Sequence, residues 1–131
     1  MPSLYIIMER QIPNVDIYVN GNFLSKHNDE LGRMAKQYGV RPLMDFFSIS
    51  GEELSSLAEE HSPKLNKIRK DHHENWFTAE EGLQTVNTLL QNLASLKLNQ
   101  LDRIEAELQD FARVLELAKL NSLRWHLGVD Y

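Results

Sequence analysis

The chain of 131 residues contains no cysteine, which excludes disulfide bonds, thiolate metal ligands and cysteine nucleophiles. It also lacks any apolar run close to the roughly 20 residues that a helix needs to cross a bilayer. Residues 1–8 have neither the basic lead nor the long apolar core of a secretory signal. These absences predict a cytoplasmic protein without membrane contact.

Basic residues are outnumbered, with 14 Lys and Arg against 19 Asp and Glu and a net charge of −5. A protein that binds the nucleic-acid backbone needs a basic surface, so no nucleic-acid partner is predicted. The apolar content of 42% and the charged content of 25% are those of an ordinary globular protein. We expect a single domain over residues 1–131.

Motifs that would identify a cofactor or a nucleophile are also missing. The sequence has no Gly-rich phosphate loop and no Gly-x-Ser-x-Gly turn that would expose a nucleophilic serine. No cofactor is therefore predicted.

The strongest periodic pattern covers residues 78–121. Thr78 and Glu81 form a capping box at its start. Apolar residues then recur at spacings of three and four, which places them on one helical face. The first stripe consists of Leu83, Val86, Leu90 and Leu93, and the second consists of Leu101, Ile104, Leu108, Phe111, Leu115 and Ala118.

The two stripes predict two helices rather than one. A continuation of the first stripe would fall on Lys97 and Gln100, which are polar, and the second stripe starts at Leu101. Asn99 is suited to cap the second helix, and two facing stripes cover each other in an antiparallel hairpin. Because residues 94–100 contain neither Gly nor Pro, one bent continuous helix remains the alternative.

Both ends of the chain have the character of strands. Residues 4–8 are apolar and rich in strand formers. Near the other end, apolar and polar residues alternate from Leu123 to Val129, which is the period of a half-buried strand. The predicted fold class is α+β. A small sheet that includes the N- and C-terminal strands packs against about four helices, among them the long antiparallel hairpin.

Two further helices are predicted before the hairpin. Ser25 is suited to cap a helix that ends at Gly39 and buries Leu31, Met34, Ala35 and Tyr38. Ser50 and Glu53 form a second capping box, which predicts a helix that buries Leu54, Leu57 and Ala58. Residues 16–19 suit a short additional strand.

Residues 39–49 leave two interpretations open. Pro42 suits the first turn of a short helix. Phe46, Phe47 and Ile49 instead suit a strand.

Three features together resemble small uncharacterised bacterial α+β proteins. They are Trp76-Phe77-Thr78-Ala79-Glu80-Glu81 at the start of a helix, a second long helix, and Leu123-Arg124-Trp125 in a strand near the end. The resemblance covers the C-terminal half. It implies a similar α+β layout, and it carries no activity and no site residue to this chain.

The candidate metal site is the run of His72, His73 and Glu74. Imidazole and carboxylate groups are good ligands of Zn²⁺. On a helix, however, adjacent histidines point about 100° apart, and two His four residues apart with a Glu between them are absent. A solvated surface is the favoured interpretation.

Two candidate ligand-binding pairs remain. Arg124 and His126 are two residues apart on the last strand and so share a face, where they would be open to an anion. The alternative is a covered or exposed sheet face on which His126 is only hydrogen-bonded. Arg41 and Asp45 form the second pair, and its alternative is an internal salt bridge.

These features favour a non-enzymatic binding or interaction protein of the adaptor or immunity type, with a protein partner or a second copy of itself. The alternative is a small hydrolase or metal-dependent enzyme that uses His72, His73, Glu74 or His126.

Overall fold

The computed structural model describes residues 2–49 and 74–130. Its elements are β1 (Ser3–Met8), α1 (Asn22–Lys26), α2 (Asn28–Gln37), a 3₁₀ turn (Leu43–Phe46), α3 (Ala79–Asn92), a second 3₁₀ turn (Leu93–Ser95), α4 (Leu101–Leu120) and β2 (Trp125–Asp130). The predicted α+β class is confirmed. No helix within the described ranges is long and apolar enough to cross a membrane. The helix predicted from Ser50 and Glu53 lies outside the described residues.

The two terminal strands form one antiparallel sheet, as predicted. Six residue pairs join them, from Ser3 opposite Asp130 to Met8 opposite Trp125. The other edge of β2 is also paired, because Phe47 bridges to Leu127 and Phe77 bridges to Trp125. The C-terminal strand therefore has neighbours on both edges, which removes an open edge that could aggregate.

The helical hairpin is confirmed, although its details differ from the prediction. The Thr78 hydroxyl accepts a hydrogen bond from the amide of Glu81 at 3.2 Å and caps α3. All residues of the second stripe are buried except Leu101, which is half-buried. In α3, Leu89 is fully buried and Leu90 only partly so, because the face of α3 that meets the core is rotated slightly from the predicted stripe.

The junction between the two arms of the hairpin differs from the prediction. Asn99 does not cap α4. Gln100 takes that position in a left-handed conformation, with φ of 67°, and its carbonyl accepts hydrogen bonds from the amides of Arg103 and Ile104. The left-handed residue reverses the chain direction without Gly or Pro, so the bent continuous helix is excluded.

Three predictions before residue 50 were wrong. Ser25 lies inside α1 rather than at a cap, because that helix already begins at Asn22. Tyr38 is 44% exposed, since α2 ends at Gln37 and the chain turns away there. Residues 16–19 form no strand. Gly39 does end the helix in a left-handed conformation, with φ of 73°.

Residues 39–49 combine both interpretations that the sequence left open. Leu43–Phe46 form a 3₁₀ turn, and Phe47 then bridges to β2. The turn places the Phe46 ring against the Trp125 indole, with ring centroids 4.9 Å apart. Both side chains are fully buried and form the aromatic centre of the core.

Candidate functional site

A groove lies between β1 and the connecting segment of residues 11–20. We call it the β1 groove. It has a volume of about 600 Å³, which falls in the range typical of ligand pockets. Twelve residues line it: Ser3, Tyr5, Ile6, Gln11, Ile12, Val15, Asp16, Ile17, Tyr18, Val19, Asn20 and Asp130.

The groove follows from the unequal pairing of the two edges of β1. Backbone groups in an antiparallel strand point alternately to the two sides. The amide and carbonyl of Leu4 bond those of Gly21, at 3.3 and 2.8 Å, so those of Ile6 also point away from β2. Within residues 2–49 and 74–130, the Ile6 amide and carbonyl bond no protein group. They face the groove, although the Ile6 side chain is 5% exposed.

The outer wall of the groove is held at several points. A Cβ on Gly21 would lie 2.9 Å from the Cβ of Leu4, so only glycine allows the chain to approach β1 this closely. Arg113 of α4 donates a hydrogen bond to the carbonyl of Asp16 at 3.0 Å. The Asp16 carboxylate accepts from the amide of Tyr18 at 2.9 Å. These contacts hold residues 11–20 in place, although the segment has no regular secondary structure.

The lining combines apolar, aromatic and acidic groups. Five residues are aliphatic, and Tyr5 and Tyr18 add two phenol rings. Asp16 and Asp130 supply two carboxylates, and none of the twelve lining residues is Lys, Arg or His. Tyr18 is 70% exposed and Val15 is 37% exposed. The groove therefore presents apolar surface to solvent beside negative charge.

The structure places His126 in the interior, as in the alternative of a covered sheet face rather than an open anion site. Its side chain is fully buried, and its Nε2 lies 2.6 Å from the Oε2 of Glu74. Its Nδ1 lies 3.1 Å from the carbonyl oxygen of Leu127. The Trp76 ring lies against the imidazole, with centroids 4.7 Å apart. Both ring nitrogens thus lie within hydrogen-bond distance of a protein oxygen atom.

Arg124 has a different partner from His126. Its guanidinium lies 2.8 Å from the Oε2 of Glu9, and its amide donates to the Oε1 of Glu9 at 2.6 Å. The hydrogen bonds from Arg124 lower the pKa of Glu9, and the same contact raises the pKa of Arg124. The structure therefore does not bring Arg124 and His126 together as one anion site.

Arg41 and Asp45 are not brought together either. The guanidinium of Arg41 lies 3.9 Å from the carboxylate of Glu81. It also lies over the rings of Phe46 and Phe77, at 5.5 and 5.2 Å from their centroids. Asp45 is exposed. A ligand-binding role for either predicted pair stays a prediction.

The predicted metal run is described only in part. His72 and His73 lie outside the described residues, and Glu74 hydrogen-bonds His126. Among the residues that the structure describes, no group of three or more His, Asp or Glu side chains is arranged to hold a metal ion.

Sequence reasoning missed the β1 groove. Its local signal is a cluster of apolar residues in a segment for which the sequence predicts no more than a short strand over residues 16–19. They are Ile12, Val15, Ile17, Tyr18 and Val19. The bridge between Leu4 and Gly21, which closes the groove at one end, joins residues that no local pattern connects.

Comparisons with protein-family models, curated proteins and solved structures found no match to this chain. The resemblance to small bacterial α+β proteins is therefore wrong. It depended on a capping box, a long helix and a short strand, which are local features that occur in many unrelated folds.

Proposed function

We propose that this protein is a non-enzymatic binding protein whose partner docks at the β1 groove. The observation that supports this function is the combination of a concave surface of about 600 Å³ with exposed Tyr18 and Val15. Exposed aromatic residues beside a pocket are typical of protein-interaction surfaces.

The way in which the groove is held also supports a binding role. The bridge of Gly21 to Leu4 and the hydrogen bond from Arg113 fix its outer wall before any partner arrives. A wall that is already ordered loses less conformational entropy on binding. The groove is therefore suited to recognise a partner with little rearrangement.

The test is a selection of binders from a displayed library of random linear peptides, followed by calorimetric titration of the enriched peptides. Tyr18→Ala should weaken binding by about tenfold or more, because it removes an exposed aromatic contact of the groove. Tyr38→Ala is the matched control, since Tyr38 is also an exposed tyrosine but lies outside the groove.

Circular dichroism melts establish that both variants remain folded. Two results would contradict the proposal: a library that yields no enriched peptide, or enriched peptides that bind wild type and Tyr18→Ala equally well.

A further inference from the structure

We infer that the β1 groove receives a lysine or arginine side chain of the protein partner, that is, a cationic group on an apolar stem. This inference depends on the binding function proposed above. It adds the chemical class that the groove recognises.

Charge is the first argument. Asp16 and Asp130 line the groove, and no basic residue is among the twelve that do. Arg113 approaches Asp16 from α4, but its hydrogen bond goes to the Asp16 backbone carbonyl and its ion pair goes to Asp110. The net charge of −5 also attracts a cationic partner at long range.

The second argument is the match between the groove lining and a cationic side chain with an apolar stem. A lysine or arginine side chain buries its methylene stem against apolar surface and keeps its charge at a polar end. The aliphatic lining, with Ile12 and Ile17, matches the stem. The ring of Tyr18, which is 70% exposed, offers a face that attracts cations. The Ile6 carbonyl points towards the same space and can accept a hydrogen bond from the cation.

The connections of the groove favour a side chain over an added β-strand. The Leu4–Gly21 bridge occupies one end of the free β1 edge, and Gln11, Ile12 and residues 15–20 line the groove beside that edge. An extended backbone alongside β1 would meet the bridge, whereas a single side chain needs only the space of the groove. A second copy of this chain is disfavoured, because two acidic grooves would face each other.

The experiment starts from the peptides enriched in the selection described above. We expect them to share a Lys or Arg. Replacement of that lysine by norleucine, which keeps the stem and removes the charge, should weaken binding about tenfold, whereas replacement by arginine should preserve it. The variants Asp16→Asn and Asp130→Asn should weaken binding of the lysine peptide and leave binding of the norleucine peptide unchanged. Asp29→Asn, on the exposed surface of α2, is the matched control.

Each other result overturns a defined part of the inference. Enriched peptides that depend on Tyr18 but carry no Lys or Arg would leave the binding function standing and remove the cation. A dimer in light scattering that peptides do not dissociate would identify a second copy as the occupant. A free amine is the other possible source of the cation, and titration with n-butylammonium tests it. If n-butylammonium binds more tightly than the peptide, the ligand is a free amine. Weak binding, with NMR shifts restricted to the residues of the groove, supports a side chain of the partner.

Discussion

Gly82 of α3 lies directly against the indole of Trp125, so that a Cβ on Gly82 would come 2.5 Å from the Cζ2 atom. The indole cannot move away easily, because its Nε1 donates to the carbonyl of Thr78 at 3.0 Å and its other side lies against Phe46. Alanine would add about 1 kcal/mol of helix propensity, but overpacking costs about 1–3 kcal/mol or more. We therefore predict that Gly82→Ala lowers the free energy of unfolding in urea by about 1–2 kcal/mol.

Gly32→Ala provides the control for this prediction. Gly32 lies within α2, and a Cβ there would have its nearest neighbour, the Cβ of Pro42, at 4.0 Å. With no clash, only the propensity term remains, and stability should rise by about 0.5–1 kcal/mol. If both alanine variants are stabilised, the close approach of α3 to Trp125 is wrong.

The partner of the buried His126 should matter for stability. Glu74→Ala would leave the Nε2 of a fully buried imidazole without its carboxylate. We predict a loss of about 1–3 kcal/mol in urea unfolding, the cost of a buried polar group that lacks its partner. Glu116→Ala on the exposed side of α4 should change stability by less than about 0.5 kcal/mol. Equal effects of the two substitutions would show that the His126–Glu74 contact contributes nothing.

The environment of Glu107 indicates that its contribution to folding stability falls as the pH rises, which is unusual for a carboxyl group. Its carboxylate accepts hydrogen bonds from the amides of Phe23 and Leu24 and so caps α1, whose own cap residue, Gly21, has no side chain. Burial raises the pKa of Glu107, and the two hydrogen bonds offset only part of that rise. The folded state therefore holds this proton more tightly than the unfolded state. The contribution to stability is full at low pH and is lost as the pH rises through the raised pKa.

Glu107→Gln should consequently cost more free energy of unfolding at about pH 4 than at about pH 7. Urea titrations of wild type and variant at both pH values provide the measurement. A cost that grows towards neutral pH would mean that the two amides, rather than burial, dominate the environment of this carboxyl.

Glu9 should show the opposite sign. Its pKa is lowered by the hydrogen bonds from Arg124, so its contribution is present above the ordinary glutamate pKa and is lost as the pH falls through the lowered value. Glu9→Gln should cost more at about pH 7 than at about pH 3, and less again in high salt, which screens an exposed ion pair. A cost that is independent of both pH and salt would remove the ion pair as its cause.

Local patterns predicted the elements whose partners are close in sequence or strongly apolar. The capping box at Thr78 and the stripes of the hairpin carry their own signals, and so do the two terminal strands. The errors arose where a distant residue decides the outcome. His126 alternates with apolar residues as an outward residue should, yet Glu74 and Trp76 cover it.

The candidate site shows the same limit more strongly. The β1 groove exists because Gly21 pairs with Leu4 while residues 11–20 form the opposite wall. Arg113 of α4 holds that wall through its hydrogen bond to the carbonyl of Asp16. The turn at Asn20-Gly21 signals a change of direction, but not the strand edge that it meets. Tertiary contacts of this kind leave no periodic trace in the sequence.

The C-terminal strand should be essential for the folded state. Removal of residues 123–131 would delete all six pairs with β1 and expose the edge of that strand. It would also remove Trp125 and Leu127, which are fully buried, and so uncover the apolar faces of the hairpin. Exposed strand edges and large apolar patches both favour aggregation. We predict that a chain ending at Asn121 or Ser122 is insoluble, or soluble without a cooperative melt.

A chain that ends at Val129 is the control for this truncation. It loses only the Ser3–Asp130 pair and keeps the other five, and Asp130 is exposed, so it should remain soluble and melt cooperatively. The measurements are sedimentation after expression and thermal unfolding followed by circular dichroism. If the chain that ends at Asn121 or Ser122 also melts cooperatively, near the melting temperature of the full protein, the sheet contributes little stability. The hairpin with α1 and α2 then forms a sufficient core by itself.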